Sequence, residues 1–169
     1  PRVTRASGSL SDYGSDFNGN RDMDANGKFL PMKLAEEAVL DHINYADWDE
    51  YDLNGDGMVD RLLILHTSKG QEESPGQTSN IWSHFTRFDT SIEVENGVDV
   101  GHYTMASIRT GSSGMGTILH EMMHQMGAMD LYPVHEAGHL NDWQGIGDWD
   151  IMASGNWNGG GVWPALPTS

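Results

Sequence analysis

GSSGMGTILHEMMHQMGAMD, residues 111–130, is rich in Leu, Met, Glu and His and free of proline, so its central part predicts a helix over residues 113–126. Gly127 can take the left-handed conformation that stops such a helix. Within it, His120-Glu121-Met122-Met123-His124 is an HExxH pattern. Four residues advance about 400° around a helix, which puts both imidazoles on one face, while Glu121 sits at the edge of that face. Two neutral histidines one turn apart can share a zinc ion, and a glutamate beside them can act on a zinc-bound water. After the stop at Gly127 comes Asp130, so a third ligand can approach from outside the helix. The longer pattern HExxHxxGxxD is about a hundredfold less expected by chance than the five-residue match.

A second HExxH, His135-Glu136-Ala137-Gly138-His139, directly follows Tyr132-Pro133 and carries glycine inside the pattern. It lacks apolar periodicity and reads as a solvated loop. His135 or His139 remains an alternative to Asp130 as third zinc ligand.

Outward from this segment the sequence alternates between element types. Residues 1–30 are rich in Gly, Ser, Asn and Asp and read as loop. Residues 31–44, with Leu34, Val39, Leu40 and Ile43 near helical spacing and Pro31 suited to the first turn, predict an amphipathic helix. A buried strand is expected within residues 58–67, around the apolar run LLIL. Strands over 91–95 and 98–107 are expected to form a hairpin through Asn96-Gly97. Residues past 130 are loop-like and tryptophan-rich. This order predicts an α+β domain, a mixed sheet flanked by helices.

Composition narrows the function. The chain has 169 residues, enough for one domain or for two lobes around a cleft. Its 9 basic residues face 25 acidic ones, for a net charge of −16, and no basic cluster could neutralise a row of phosphates, which excludes nucleic-acid binding. No apolar run is long enough for a membrane span, and the N-terminus PRVTRASGSL lacks a signal-peptide core, so a soluble, processed product is expected. With no cysteine, any metal must be held by histidine and carboxylate.

A second metal pattern lies at Asp52-Leu-Asn54-Gly-Asp56-Gly-Met58-Val-Asp60, with oxygen side chains at positions one, three, five and nine of an EF-hand-like loop and Met58 at the backbone-carbonyl position. Calcium is the expected ion. Leu63 stands where the bidentate glutamate would be, so the loop is incomplete. Asp22-Met-Asp24-Ala-Asn26-Gly27 begins the same pattern but reads as a turn. Met122, Met123, Met126 and Met129 are expected to pack in a core. Trp149, Trp157 and Trp163 are expected to form walls rather than a sugar-stacking surface. His42, His66, His84 and His102 lack ligand spacing and are expected to be structural.

These segments together resemble the immune-inhibitor-A-like secreted bacterial metallopeptidases of the metzincin clan. The similarity is carried by YDLNGDGMVD at 51–60, IWSH at 81–84, residues 120–132, and GDWDIMASG at 147–155. The resemblance implies zinc held by His120, His124 and Asp130, Glu121 as general base, and Met152 in a methionine turn beneath the metal. It implies a metzincin-like zincin fold, with helices on a twisted, mostly parallel sheet and a strand before the catalytic helix, residues 98–107, that lines the cleft and pairs with peptide substrates. It further implies one catalytic domain over 1–169, with an upper lobe to about 127 and an abbreviated, loop-rich lower lobe over 128–169. The implied function is zinc-dependent hydrolysis of internal peptide bonds by a secreted monomer that has lost its signal peptide and propeptide. Tyr132 or Tyr103 could supply an oxyanion donor. Pro133 stands where the family commonly has an acidic residue. The rival reading is a calcium-dependent binding module with a silent HExxH helix; a weaker one is carbohydrate binding through the tryptophan-rich end.

Overall fold

Asn96-Gly97 turns the chain back on itself between β2 (His84–Glu95) and β3 (Val98–Ser107), with Gly97 at φ 84°, where a side chain would be strained. The computed structural model describes residues 2–74, 76–108, 114–134 and 145–168. β1 (Leu63–His66) runs parallel to β3 on its other side, so the sheet order is β1-β3-β2. The antiparallel β2–β3 ladder is the longer one. The sheet is therefore mixed, not mostly parallel, because the hairpin supplies more pairs than the four-residue β1.

The position of β3 corrects a second expectation. β3 is the central strand, with β2 along one side and β1 on the other over Thr104–Ser107, so a peptide has no room to add beside it there; β2 is an outer strand. β2 also starts earlier than expected, at His84, and residues 88–91 stand opposite Gly101 alone. That irregularity hides the period-two pattern from the sequence.

Among the described residues three α-helices complete the order: α1 (Ser11–Gly14), α2 (Pro31–His42) and α3 (Met115–Gln125). Pro31 opens α2, and Met32, Ala35 and Val39 form its buried face. Leu40 lies outside, so the apolar stripe is rotated from the one the spacing suggested. The main core joins this face to Tyr13, Trp48, Ile81, Phe88, Val100 and Met105. Each fully buried Val, Ile or Met contributes roughly 1.5–3 kcal/mol relative to exposure. The expected strand exists, but Leu63 and Leu65 are exposed, because they share the face of β1 that packing leaves uncovered while Ile64 and His66 point to the other.

α3 lies against β3 and buries Gly116, Thr117, His120, Glu121 and Gln125, which is mostly a polar face. Gln125 Nε2 donates to the Leu62 carbonyl at 2.9 Å, tying the helix to the start of β1. Its end is a Schellman motif: Gly127 N–H bonds the His124 carbonyl and Ala128 N–H the Met123 carbonyl, each at 3.0 Å, with Gly127 at φ 93°. Past this point the described chain contains only 3-10 turns, at Gly147–Trp149 and Ser154–Trp157. They dock on the start of α3, where Gly116 N–H donates to Gly161 O at 3.0 Å and a Cβ on Gly116 would lie 1.8 Å from Asn156 O. No described helix is long and apolar enough to cross a membrane.

Candidate metal centre and active site

His120 and His124 lie one turn apart on α3 with their rings perpendicular and 4.8 Å apart. Each ring is fixed through Nδ1, which faces a carbonyl: Ile151 O at 2.8 Å for His120 and Ala128 O at 2.9 Å for His124. An Nδ1 that donates to a carbonyl leaves Nε2 as the ligand atom, the usual support of a metal-binding histidine. Both Nε2 atoms face Asp130 Oδ1, at 3.1 and 3.4 Å. That oxygen is shielded from solvent and has no well-directed hydrogen bond. The three ligand atoms lie within 4.8 Å of one another. Two imidazole nitrogens and a carboxylate oxygen converge closely enough to hold a cation between them, and the donor set suits zinc.

Without a metal, protons take that part. The Asp130 carboxylate pushes His124 up to about 9. Burial would depress His120, yet Asp130 and the Ile151 carbonyl raise it. Asp130 is held far below the carboxylate range, its burial outweighed by the two histidines. Glu121 is buried beside the pair, and desolvation pushes it up to about 7 against the pull of His120 and His124.

The turn around Met152 is built by a residue the sequence reading did not single out. Asp150 is buried; its Oδ1 accepts from Met152 N at 2.7 Å and its Oδ2 from Thr168 N and Oγ1 at 2.6 Å. Burial opposes its charge, but these bonds hold it below the usual range. Met152 is itself buried, and its carbonyl accepts from Leu131 N at 2.8 Å, which fastens the Asp130 segment to the turn. The only sequence signal for Asp150 was an aspartate two residues before a turn, the pattern of an Asx-turn.

A cavity of about 210 Å³ opens beside His120, lined by Tyr132, Ala153, Ser154, Asn156 and Trp157. The Tyr132 hydroxyl is pushed up to about 12 by burial and by the nearby Asp130 and Glu121 charges. Tyr103 is fully buried, with its hydroxyl 3.3 Å from His84 Nε2. Of the two tyrosines weighed as oxyanion donors, only Tyr132 borders the cavity.

The structure places the other expected residues elsewhere. Asp52, Asn54 and Asp56 turn their oxygens onto their own loop: Asp52 accepts from Gly55, Asp56 and Gly57, Asn54 from Asp56, and Asp56 from Met58. Asp60 Oδ2 accepts from Leu53 N at 2.7 Å. The loop is stitched to the hairpin through a Met58–Asp99 bridge. Burial lowers His66 and His84 to about 4, and neither joins a three-ligand group among the described residues. Met126 and Met129 are exposed and not core: Met126 caps the end of α3 and Met129 lies in the segment beyond it. Trp157 is a cavity wall, but Trp149 and Trp163 are 80% and 77% exposed. His135 and His139 lie outside the described residues.

An α+β domain with an HExxH helix and an aspartate closing on both histidines has the groups of a metal-dependent hydrolase. Comparison with known proteins agrees: residues 2–165 match the catalytic domain of the immune inhibitor A peptidase M6 family. The chain belongs to that family and is by membership a protease domain, a hydrolase. It is 27% identical to immune inhibitor A of Bacillus thuringiensis subsp. alesti over 90% of this chain, and 30% identical to the pre-pro-metalloprotease PrtV of Vibrio cholerae serotype O1 over 98%. The matches span 25% and 20% of those relatives' lengths, so the chain corresponds to a fraction of each.

Proposed function

We propose that this chain is a zinc-dependent endopeptidase that hydrolyses internal peptide bonds of proteins. The observation that carries the reading is the convergence of His120 Nε2, His124 Nε2 and Asp130 Oδ1, with Glu121 buried beside them. His120, His124 and Asp130 would hold the ion, whose chemistry is Lewis-acid activation of water and of the scissile carbonyl. Glu121 takes the proton of the attacking water and returns it to the leaving amine. Its raised proton affinity suits both halves of that task. The Tyr132 hydroxyl donates to the oxygen that becomes negative as the carbonyl is attacked. Met152 and Asp150 set the floor that orients His120 through the Ile151 carbonyl.

The substrate is an extended peptide lying along the free side of β2, not of β3. An outer strand offers unpaired N–H and C=O groups to such a peptide. Calcium in the loop formed by Asp52, Asn54, Asp56, the Met58 carbonyl and Asp60 is a structural proposal: an ion there would share those side-chain oxygens with the backbone amides that already bond them. The whole of 1–169 is taken as one catalytic domain, with residues from 128 onward forming the lower wall of the cleft. The chain acts as a secreted monomer on protein substrates. Secretion is supported by kinship with a protein named as a pre-pro-metalloprotease. The silent-helix binding module is not favoured, because Glu121 stands beside convergent ligands within a peptidase family domain.

Metal content by mass spectrometry, paired with casein hydrolysis before and after a zinc chelator, tests the proposal. One zinc per chain with activity restored by zinc is expected. Calcium alone, with no hydrolysis after zinc is added back, overturns it.

A further inference from the structure

A different part of the molecule gathers negative charge around one buried carboxylate, Asp22, with Asp16 and Glu72 half-buried beside it. Asp16 and Asp22 come from the N-terminal segment, and Gln71 and Glu72 from the 3-10 turn Gln71–Glu73. Hydrogen bonds orient each of them. Asp16 Oδ1 accepts from Asp22 N at 3.1 Å and its Oδ2 from Gln71 Nε2 at 2.7 Å. Asp22 Oδ2 accepts from Trp82 N at 2.9 Å, and the Glu72 carboxylate takes both Ser83 N and Ser83 Oγ. Two oxygens are left over, Asp22 Oδ1 and Gln71 Oε1, shielded from water and without any hydrogen-bond partner. Their residues are 1% and 6% exposed. Because Gln71 Nε2 is committed to Asp16, which also accepts from Asp22 N, the Gln71 carbonyl is held as an acceptor within the same hydrogen-bonded group as Asp22.

Leaving a buried acceptor unmatched costs about 1–3 kcal/mol, and more when the group is charged. The nearby groups do not supply the match: Asp16 and Glu72 repel the Asp22 charge, and Arg21 lies over the Trp82 ring at 3.5 Å and offsets it only in part. A proton would offset one carboxylate of the three. A divalent cation satisfies both open oxygens and counters the surrounding carboxylates together. A cavity of about 300 Å³, lined by Arg21, Gln71, Glu72, Gly76 and Trp82, adjoins the patch and has room for the waters such an ion retains. The available donors are all oxygens, which selects a hard ion.

We propose that Asp22 Oδ1 and Gln71 Oε1 bind a divalent cation of the calcium type, with Asp16 and Glu72 supplying further negative charge around it. This site shares no residue with the histidine centre or with the loop at residues 52–60. The three carboxylates do not close on one point as His120, His124 and Asp130 do, so Asp16 and Glu72 act through charge and water rather than as direct ligands. Burial and the neighbouring carboxylates push Asp22 up to about 7, which is the cost a bound cation would remove.

The test counts calcium bound to the zinc-loaded full chain by equilibrium dialysis, in wild type, Asp22→Asn, Glu72→Gln and Asp56→Ala. Asp22→Asn is expected to lose one equivalent, Glu72→Gln to weaken that equivalent about tenfold, and Asp56→Ala to leave it intact. Zinc retained in every variant separates this site from the histidine centre. If Asp22→Asn does not fold, Gln71→Leu takes its place with the same expected loss of one equivalent. Unchanged stoichiometry and affinity in the folded Asp22 or Gln71 variant and in Glu72→Gln overturns the proposal. So does a wild type whose stability ignores calcium while falling as pH rises from about 4 through 7. That sign belongs to a proton on Asp22, bound in the folded state with raised affinity and released across this window.

Discussion

The histidine centre and the loop at residues 52–60 are both metal patterns in the sequence, yet they fold in opposite ways. His120, His124 and Asp130 anchor their outer atoms or segments to the backbone and aim Nε2, Nε2 and Oδ1 at one another. Asp52, Asn54 and Asp56 aim their oxygens at amides of their own loop, and the loop closes without help. The first arrangement leaves a place that either protons or a cation must fill; the second is largely closed by its own backbone. A ligand pattern therefore says which residue types are present, while the partners left unmatched say how strongly an ion is required.

The comparison breaks first at His124. His124→Ala should abolish both zinc binding and casein hydrolysis; stoichiometric zinc in that variant would put the metal elsewhere. Glu121→Ala should keep zinc and lose about 10³ in kcat/KM, the range for removing a general base, and a variant with most of its activity would remove the assigned base. Tyr132→Phe should lower kcat about 10² with KM nearly unchanged, as expected for a donor that acts only in the transition state; a pure rise in KM would make it a binding residue.

Two smaller effects sharpen the contrast. Gly116→Ala forces a methyl group toward Asn156 O, so it should cost about 1–3 kcal/mol in urea unfolding and loosen the segment after residue 145 from α3. An unchanged midpoint would show that this segment contributes little to the fold. Asp56→Ala should remove a calcium-dependent rise in Tm of a few degrees, roughly a 1 kcal/mol effect, with zinc content and kcat within twofold of wild type. If calcium raises Tm equally in both proteins, the loop does not bind it.

Some of this was legible because the signal is local. Asn96-Gly97 marks the hairpin since glycine tolerates positive φ, and Gly127 marks the end of α3 for the same reason. Pro31 marks the start of α2 through its fixed φ. The start of β2 at His84 was not legible, because its irregular pairing breaks the alternation a strand reading needs. The exposure of Leu63 and Leu65 was also hidden: an apolar run signals a strand but not which of its faces other elements will cover.

The site divides in the same manner. Sequence alone fixed that His120 and His124 share a helical face with Glu121 beside them, because helical rise and twist are properties of the backbone. It also determined the chain's strong negative charge and the absence of a thiolate ligand. Tertiary structure decided that Asp130 closes on the histidines, that Tyr132 rather than Tyr103 borders the cavity, and that Asp150 builds the turn around Met152. It also left Asp22 and Gln71 with buried oxygens that no neighbour satisfies. These are contacts between residues distant along the chain, and their energies depend on burial and on which partners packing brings near, neither of which is a property of any short stretch of sequence.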